Sequence, residues 1–377
     1  MNNNKKLNIL GIRGIPANHG GFETFAEAYS LYLVDRGWDI TVYCQEEGKG
    51  KVYESIWNNI NRVHIPVSKE GPLGTIIFDF KCVIHSLKKP GLILSLGYNT
   101  AIFNILFPLF KRPNIINMDG IEWKRGKWGK LAKLWFRINE WIGCKVGDHL
   151  IADNPEIKTH LSRIKSPDHI TMIPYSAELV TSAKQENIQQ YGLKLKEYSI
   201  LIARPEKENS ILEIVEVFSK KKRNHTLVIL GDYKTDENAY HKAIVDAASS
   251  EVLFLGAIYD SEIISSLRYF SYYYFHGHTV GGTNPSLVES LAAGCPVIAH
   301  NNSYNSWVAK EGALYFDNKE ELGFILDKQF SDIELREEKS KKAIQQHRDH
   351  FQPHYVLGQY ESLSLLFCGD YVADSSY

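Results

Sequence analysis

His276-Gly277-His278-Thr279-Val280-Gly281-Gly282-Thr283-Asn284-Pro285-Ser286-Leu287-Val288-Glu289-Ser290-Leu291-Ala292-Ala293-Gly294-Cys295-Pro296-Val297 reads as a strand end, a glycine-rich turn, a capped helix and a second strand. Residues 271–275 before it are aromatic and apolar, as a buried strand requires. Gly281 and Gly282 let the backbone approach a ligand closely. Thr283 or Asn284 can cap the helix, and Pro285 suits its first turn. Unsatisfied backbone N–H groups and the helix dipole then make an anion site. Glu289 falls at least one turn further in, within reach of a sugar hydroxyl beside that anion. A phosphate next to a sugar hydroxyl describes a nucleotide-sugar pocket; an ordinary strand–turn–helix is the structural alternative.

Outward from this block, short apolar runs alternate with longer helical patterns, which points to parallel sheets with crossover helices. The first set of expected strands covers 7–12, 40–44, 63–67, 92–96, 115–118, 149–152 and 170–174, with a helix over 26–36. The second covers 198–203, 227–230, 252–255, 272–275, 297–299 and 314–316, and the polar stretch 182–191 reads as a linker region. The expected domains are 1–177 and 178–350, with a C-terminal helical segment in 351–377. At 377 residues two domains are natural.

Hydrophobic residues make up 44% of the chain and charged residues 23%, a globular composition. The net charge of −1 gives no global electrostatic case for nucleic acid. The five cysteines are scattered without metal-ligand spacing, and their odd number argues against a disulfide framework. No apolar run approaches the roughly 18 residues of a membrane span. The opening Met1-Asn2-Asn3-Asn4-Lys5-Lys6 leads into a run too short for a signal-peptide core. The expected location is cytoplasmic.

Three further stretches sit where strands should end, the usual ligand edge of an open α/β sheet. Gly11-Ile12-Arg13-Gly14-Ile15-Pro16-Ala17-Asn18-His19-Gly20-Gly21-Phe22-Glu23-Thr24 lacks the dinucleotide fingerprint. Its Gly20-Gly21 pair at a helix start can set N–H groups against a phosphate or sugar; a tight connection with Glu23 in a favourable first turn is the alternative. Arg204-Pro205-Glu206-Lys207-Glu208-Asn209 supplies cations that could stabilise a leaving diphosphate, or else a surface ion-pair cluster. Asp119 and Glu122 follow another strand, where a carboxylate can accept a proton or hold a hydroxyl; an Asx turn is the alternative for Asp119. His276 and His278, beside the glycine turn, read as residues that hydrogen-bond phosphate or sugar. No third ligand for a metal is evident, and no Asp-x-Asp metal motif is present.

The 276–297 block resembles the donor-binding motif of GT-B glycosyltransferases of family 4, in particular a bacterial subgroup that includes rhamnosyltransferases of polysaccharide assembly. The resemblance implies a GT-B fold, two Rossmann-like domains facing a cleft, with the last helix returning to the first domain. Glu289 matches the second of the family's two motif glutamates, which holds the ribose; Gly281 stands where the first would be. Gly21 and Glu23 match the family's loop near donor phosphate and acceptor. Arg204 matches the family's diphosphate arginine, while Asn209 stands in place of its lysine and Lys207 is a neighbouring substitute. Asp119 lies where many members carry a histidine beside the reacting sugar. On the resemblance, Gly20, Gly21, Arg204, Lys207, Asn209, His276, His278, Gly281, Gly282, Thr283, Asn284 and Glu289 bind donor. Asp119 and Arg204 serve catalysis, and Glu23 and Glu122 lie on the acceptor side.

Residues 123–145 hold seven Lys/Arg, one acid and four tryptophans. Leu131, Leu134, Trp135, Ile138 and Trp141 fall together on a helix with basic residues beside them, which suits an anionic membrane surface. A core helix with a solvated basic face is the alternative. The resulting expectation is a retaining, metal-independent enzyme without a cofactor. It moves a sugar, with dTDP-rhamnose as leading donor, from a nucleoside diphosphate to a lipid-linked saccharide acceptor at the inner face of the cell membrane. A sugar-nucleotide epimerase of the same fold and a non-catalytic nucleotide-sugar-binding protein remain alternatives. The absent fingerprint disfavours an NAD oxidoreductase.

Overall fold

The short apolar runs form strands buried on both faces, the pattern of parallel sheets covered by helices. The computed structural model describes residues 5–17 and 20–369. The described residues divide into two units: one holds those up to Trp123, Trp128–Ile173 and those from His354 to Gly369, the other Lys124–Lys127 and Pro174–Pro353.

The first unit contains β1 (Lys6–Leu10), β2 (Asp39–Glu47), β3 (Tyr53–Trp57), β4 (Ile60–Val67), β5 (Leu92–Leu96), β6 (Asn114–Asn117), β7 (His149–Ala152) and β8 (Ile170–Met172). They lie in the order β3-β4-β2-β1-β5-β6-β7-β8. All pair in parallel except β3, which runs antiparallel on β4 with Tyr53 opposite His64. Sequence patterning missed β3 because an edge strand with most of its side chains exposed shows no apolar alternation. The helix Pro353–Gly369 belongs to this unit: Val356, Leu357, Tyr360 and Leu363 join the core of Leu7, Ile9, Tyr29 and Leu33.

The second unit contains β9 (Tyr198–Ile202), β10 (Thr226–Leu230), β11 (Val252–Gly256), β12 (Tyr274–His276), β13 (Val297–His300) and β14 (Ala313–Phe316). Their order is β11-β10-β9-β12-β13-β14, parallel throughout. Neighbouring residues on a strand supply opposite faces: Ile200 enters one core and Leu201 the other. Each such side chain contributes about 1.5–3 kcal/mol by leaving water. The stretch read as a linker lies inside this unit instead, because Ile188 is buried in its core.

In each sheet the unit's first strand lies centrally, β1 between β2 and β5, β9 between β10 and β12. Connections leave in opposite directions from that point, the switch point where open α/β sheets bind ligands in the crevice outside the strand ends.

Candidate functional site

The crevice of the second unit is flanked by the loop after β9 and the loop after β12. Gly277 fixes how closely they approach: a Cβ there would lie 2.2 Å from the Asn209 carbonyl oxygen. Thr279 donates from its backbone N–H and its hydroxyl to the Glu208 carbonyl, at 2.9 and 3.0 Å. Asn209 is buried, and its amide nitrogen donates to the Arg204 carbonyl at 2.8 Å. Asn209 therefore shapes the loop that carries Arg204, while its buried Oδ1 has no partner among the described residues.

Arg204 itself is exposed, with no ion pair among the described residues. Lys207 is also exposed, its ammonium 5.9 Å over the Tyr240 ring. Glu208 is engaged by Arg125, 2.7 Å from Nε to Oε1, and accepts the Gly126 N–H at 2.9 Å. The imidazoles of His276 and His278 stack at 4.3 Å. Burial holds His276 far below the usual histidine range, and the neighbouring His278 adds to this. Burial, then Arg125 and Arg204, brings His278 down to about 3. Both rings are neutral at neutral pH. Two guanidinium groups acting on a suppressed histidine describe a place that favours an anion.

The glycine turn leads into the helix Pro285–Ala292. Gly281 sits at φ +147° with open space around it, and Thr283 is buried. Of the two capping candidates the structure selects Asn284, whose side chain accepts from the Ser286 N–H at 2.9 Å. Glu289 projects from this helix with its carboxylate 2.6 Å from Nη2 of Arg268. Arg268 is buried and also donates to the Ser286 hydroxyl at 2.9 Å, which accepts from Tyr274 at 2.9 Å. Glu289 is thus held in place while its side chain remains 34% exposed. Sequence reasoning missed Arg268; it lies on the separate helix Ser261–Phe270, and no spacing rule links it to Glu289.

In the first unit Gly20, at φ +55°, precedes the helix Gly21–Val34. Glu23 accepts the Arg13 N–H at 3.1 Å and so braces the loop. Asn18 and His19 lie outside the described residues, as do Met1 to Asn4. Asp119 follows β6 at φ +52°, a sparsely populated conformation for a non-glycine residue. Its N–H donates to Asn117 Oδ1 at 2.9 Å, and Asn117 donates in turn to the Tyr360 hydroxyl at 2.7 Å. The Asx turn here is made by the Asn117 side chain and not by Asp119, whose half-buried carboxylate stands at the strand end. Glu122 accepts from the Trp128 indole at 3.0 Å, and its N–H donates to the Tyr98 hydroxyl at 2.9 Å. Among the described residues no three His, Cys, Asp or Glu side chains gather as a metal-holding group.

Residues 183–346 match the family described as glycosyl transferases group 1. Residues 4–178 match a domain of unknown function, DUF1972. Alpha-monoglucosyldiacylglycerol synthase of Streptococcus pneumoniae is 30% identical over 200 residues, 48% of this chain and 44% of that protein. The chain thus matches less than half the length of that relative. Sucrose-phosphate synthase from Thermosynechococcus elongatus superposes with a TM-score of 0.80 at 15% identity, covering 96% of this chain and 99% of that one. HepE of Anabaena, in complex with UDP and glucose, gives 0.74 at 15% identity, with the same coverage. The fold is GT-B: two Rossmann-like α/β domains with parallel sheets. The second unit's crevice lies within the glycosyl transferases group 1 match.

Proposed function

We propose that this chain is a retaining, metal-independent glycosyltransferase. It takes a sugar from a nucleoside diphosphate donor and passes it to a hydroxyl of a lipid-linked saccharide in cell-surface polysaccharide synthesis. The observation that carries the reading is the convergence at the second unit's crevice. An exposed Arg204, neutral imidazoles and a helix N-terminus favour an anion there, and Glu289 waits one turn behind, fixed by Arg268. Arg204 and the helix N-terminus would stabilise the charge that grows on the departing diphosphate. Glu289 would accept a hydrogen bond from the nucleoside's sugar hydroxyl. Asp119 would hold a reacting hydroxyl without serving as a nucleophile.

The 276–297 block favours dTDP-rhamnose as donor. The UDP and glucose bound to HepE favour a UDP-glucose reading, and the name of the streptococcal synthase favours a glucosyl group. The lipid-linked acceptor is supported by that synthase's name and by the surface described below. A ligand that binds the native state raises the melting temperature by mass action. Melting with UDP, GDP, dTDP and their sugars, with and without EDTA, therefore tests the site. A shift selective for dTDP-rhamnose and indifferent to EDTA supports the reading, and a UDP-glucose preference replaces the donor. No shift with any nucleotide overturns it. Arg204→Ala, at an exposed position, is expected to remove most of the shift without lowering the unliganded melting temperature.

A further inference from the structure

The helix Lys130–Val146 is built inside out. Its buried residues include Asn139 and Glu140, whereas Leu131 is 85% exposed, Trp141 54%, and Leu134 and Ile138 are exposed as well. The polar contacts explain the setting. Asn139 accepts the Ile102 N–H at 2.8 Å and donates to the Trp135 carbonyl at 3.0 Å. Glu140 takes hydrogen bonds from the Trp123 indole and from His160. Gly143 permits close packing, since a Cβ there would lie 3.3 Å from that of Ala101. Turning the helix to bury its leucines would strand these polar groups away from their partners. The alternative of a core helix with a solvated basic face therefore accounts for only part of the surface: Leu131, Leu134, Ile138 and Trp141 are exposed alongside the basic residues.

The short helix Ala101–Ile105 packs on this helix and carries the exposed Ile105; the helix Leu106–Leu109 that continues it ends at the exposed Leu109, followed by the exposed Phe110. The other exposed positions of the long helix are Lys130, Arg137 and Lys145, all basic. The Lys145 ammonium lies 5.9 Å over the Trp141 ring. Among the described residues no helix is long and apolar enough to cross a membrane.

We infer that this face docks on an anionic phospholipid bilayer, with the apolar side chains entering the headgroup boundary and the basic ones meeting lipid phosphates. Charge decides the occupant. A second copy of the chain, related by a two-fold axis, would set the same basic residues against one another. Anionic lipid supplies the opposite sign. The face belongs wholly to the first unit and stands whether or not the donor reading is correct.

The test is co-sedimentation of the full chain with vesicles of phosphatidylcholine alone and of phosphatidylcholine with phosphatidylglycerol, at low and high salt. Binding to the anionic vesicles, weakened by salt, is expected. The double variant Leu134→Gln, Trp141→Gln should bind about tenfold or more weakly while melting like the native protein, because both side chains are exposed. Lys130→Glu with Lys145→Glu should abolish the preference for anionic vesicles. Failure to bind anionic vesicles at low salt overturns the proposal, as does unchanged binding by the first variant. A solution dimer that this variant turns into monomers, with no vesicle binding, assigns the face to a second copy. Nucleotide-induced melting shifts report the donor site separately, so neither failure is mistaken for the other.

Discussion

The strand-end loops of the two units are held in different ways. In the second unit much of the fastening falls to groups other than Arg204 and Glu289: Gly277 against the Asn209 backbone, Thr279 on the Glu208 carbonyl, Asn284 as a cap, Arg268 beneath Glu289. Arg204 and Glu289 are left oriented and accessible. In the first unit the acidic residues do the fastening themselves. Glu23 braces Arg13, and Glu122 holds Trp128. A residue that both shapes a loop and carries charge cannot be removed without disturbing the loop. Asp119 is the intermediate case, since its backbone makes the turn and its carboxylate remains beside it.

The sharpest way to break this contrast is Gly277→Ala. The added methyl would meet backbone, which cannot swing aside like a side chain. The expected cost is about 3 kcal/mol, read as a lower melting temperature together with loss of any nucleotide shift. A variant that melts like the native protein would show that the two loops are not locked. Asp119→Asn sharpens the contrast, because asparagine tolerates a positive φ and keeps the turn. Turnover should fall about a hundredfold with donor affinity nearly unchanged. Near-normal turnover would remove Asp119 from the chemistry.

The smallest effect concerns protons. His278 titrates near 3 in the fold against 6.5 in its absence. Between those values the unfolded chain binds a proton that the folded chain refuses, so stability declines as pH falls through that window and is fully present above it. Melting temperature followed from pH 7 down to pH 4 should decline less steeply in His278→Asn. Equal slopes for the two proteins would mean the ring is not shielded as described.

The parallel strands were legible in the sequence because burial on both faces leaves short, nearly continuous apolar runs, as at Leu92–Leu96 and His149–Ala152. Cap chemistry narrowed the start of the Pro285–Ala292 helix to two residues, and only geometry chose between them. β3 escaped because its exposed side chains carry no pattern. Arg268 escaped because pairing across the fold leaves no trace in local spacing. The linker was misplaced because Ser182–Tyr191 looks polar by composition, yet it contributes one fully buried isoleucine. The amphipathic pattern of Lys130–Val146 was plain, but its orientation was not: helical periodicity marks a stripe without saying which side faces inward.

That orientation has an evolutionary consequence. Asn139, Glu140 and Gly143 key the helix into the fold, so its outward positions carry little folding duty. Their residues can change, one or several at once, without unfolding the domain beneath them. Selection then feels them mainly through whatever surface they meet. A lineage could retune that encounter, or abandon it, while the inherited scaffold stays the same.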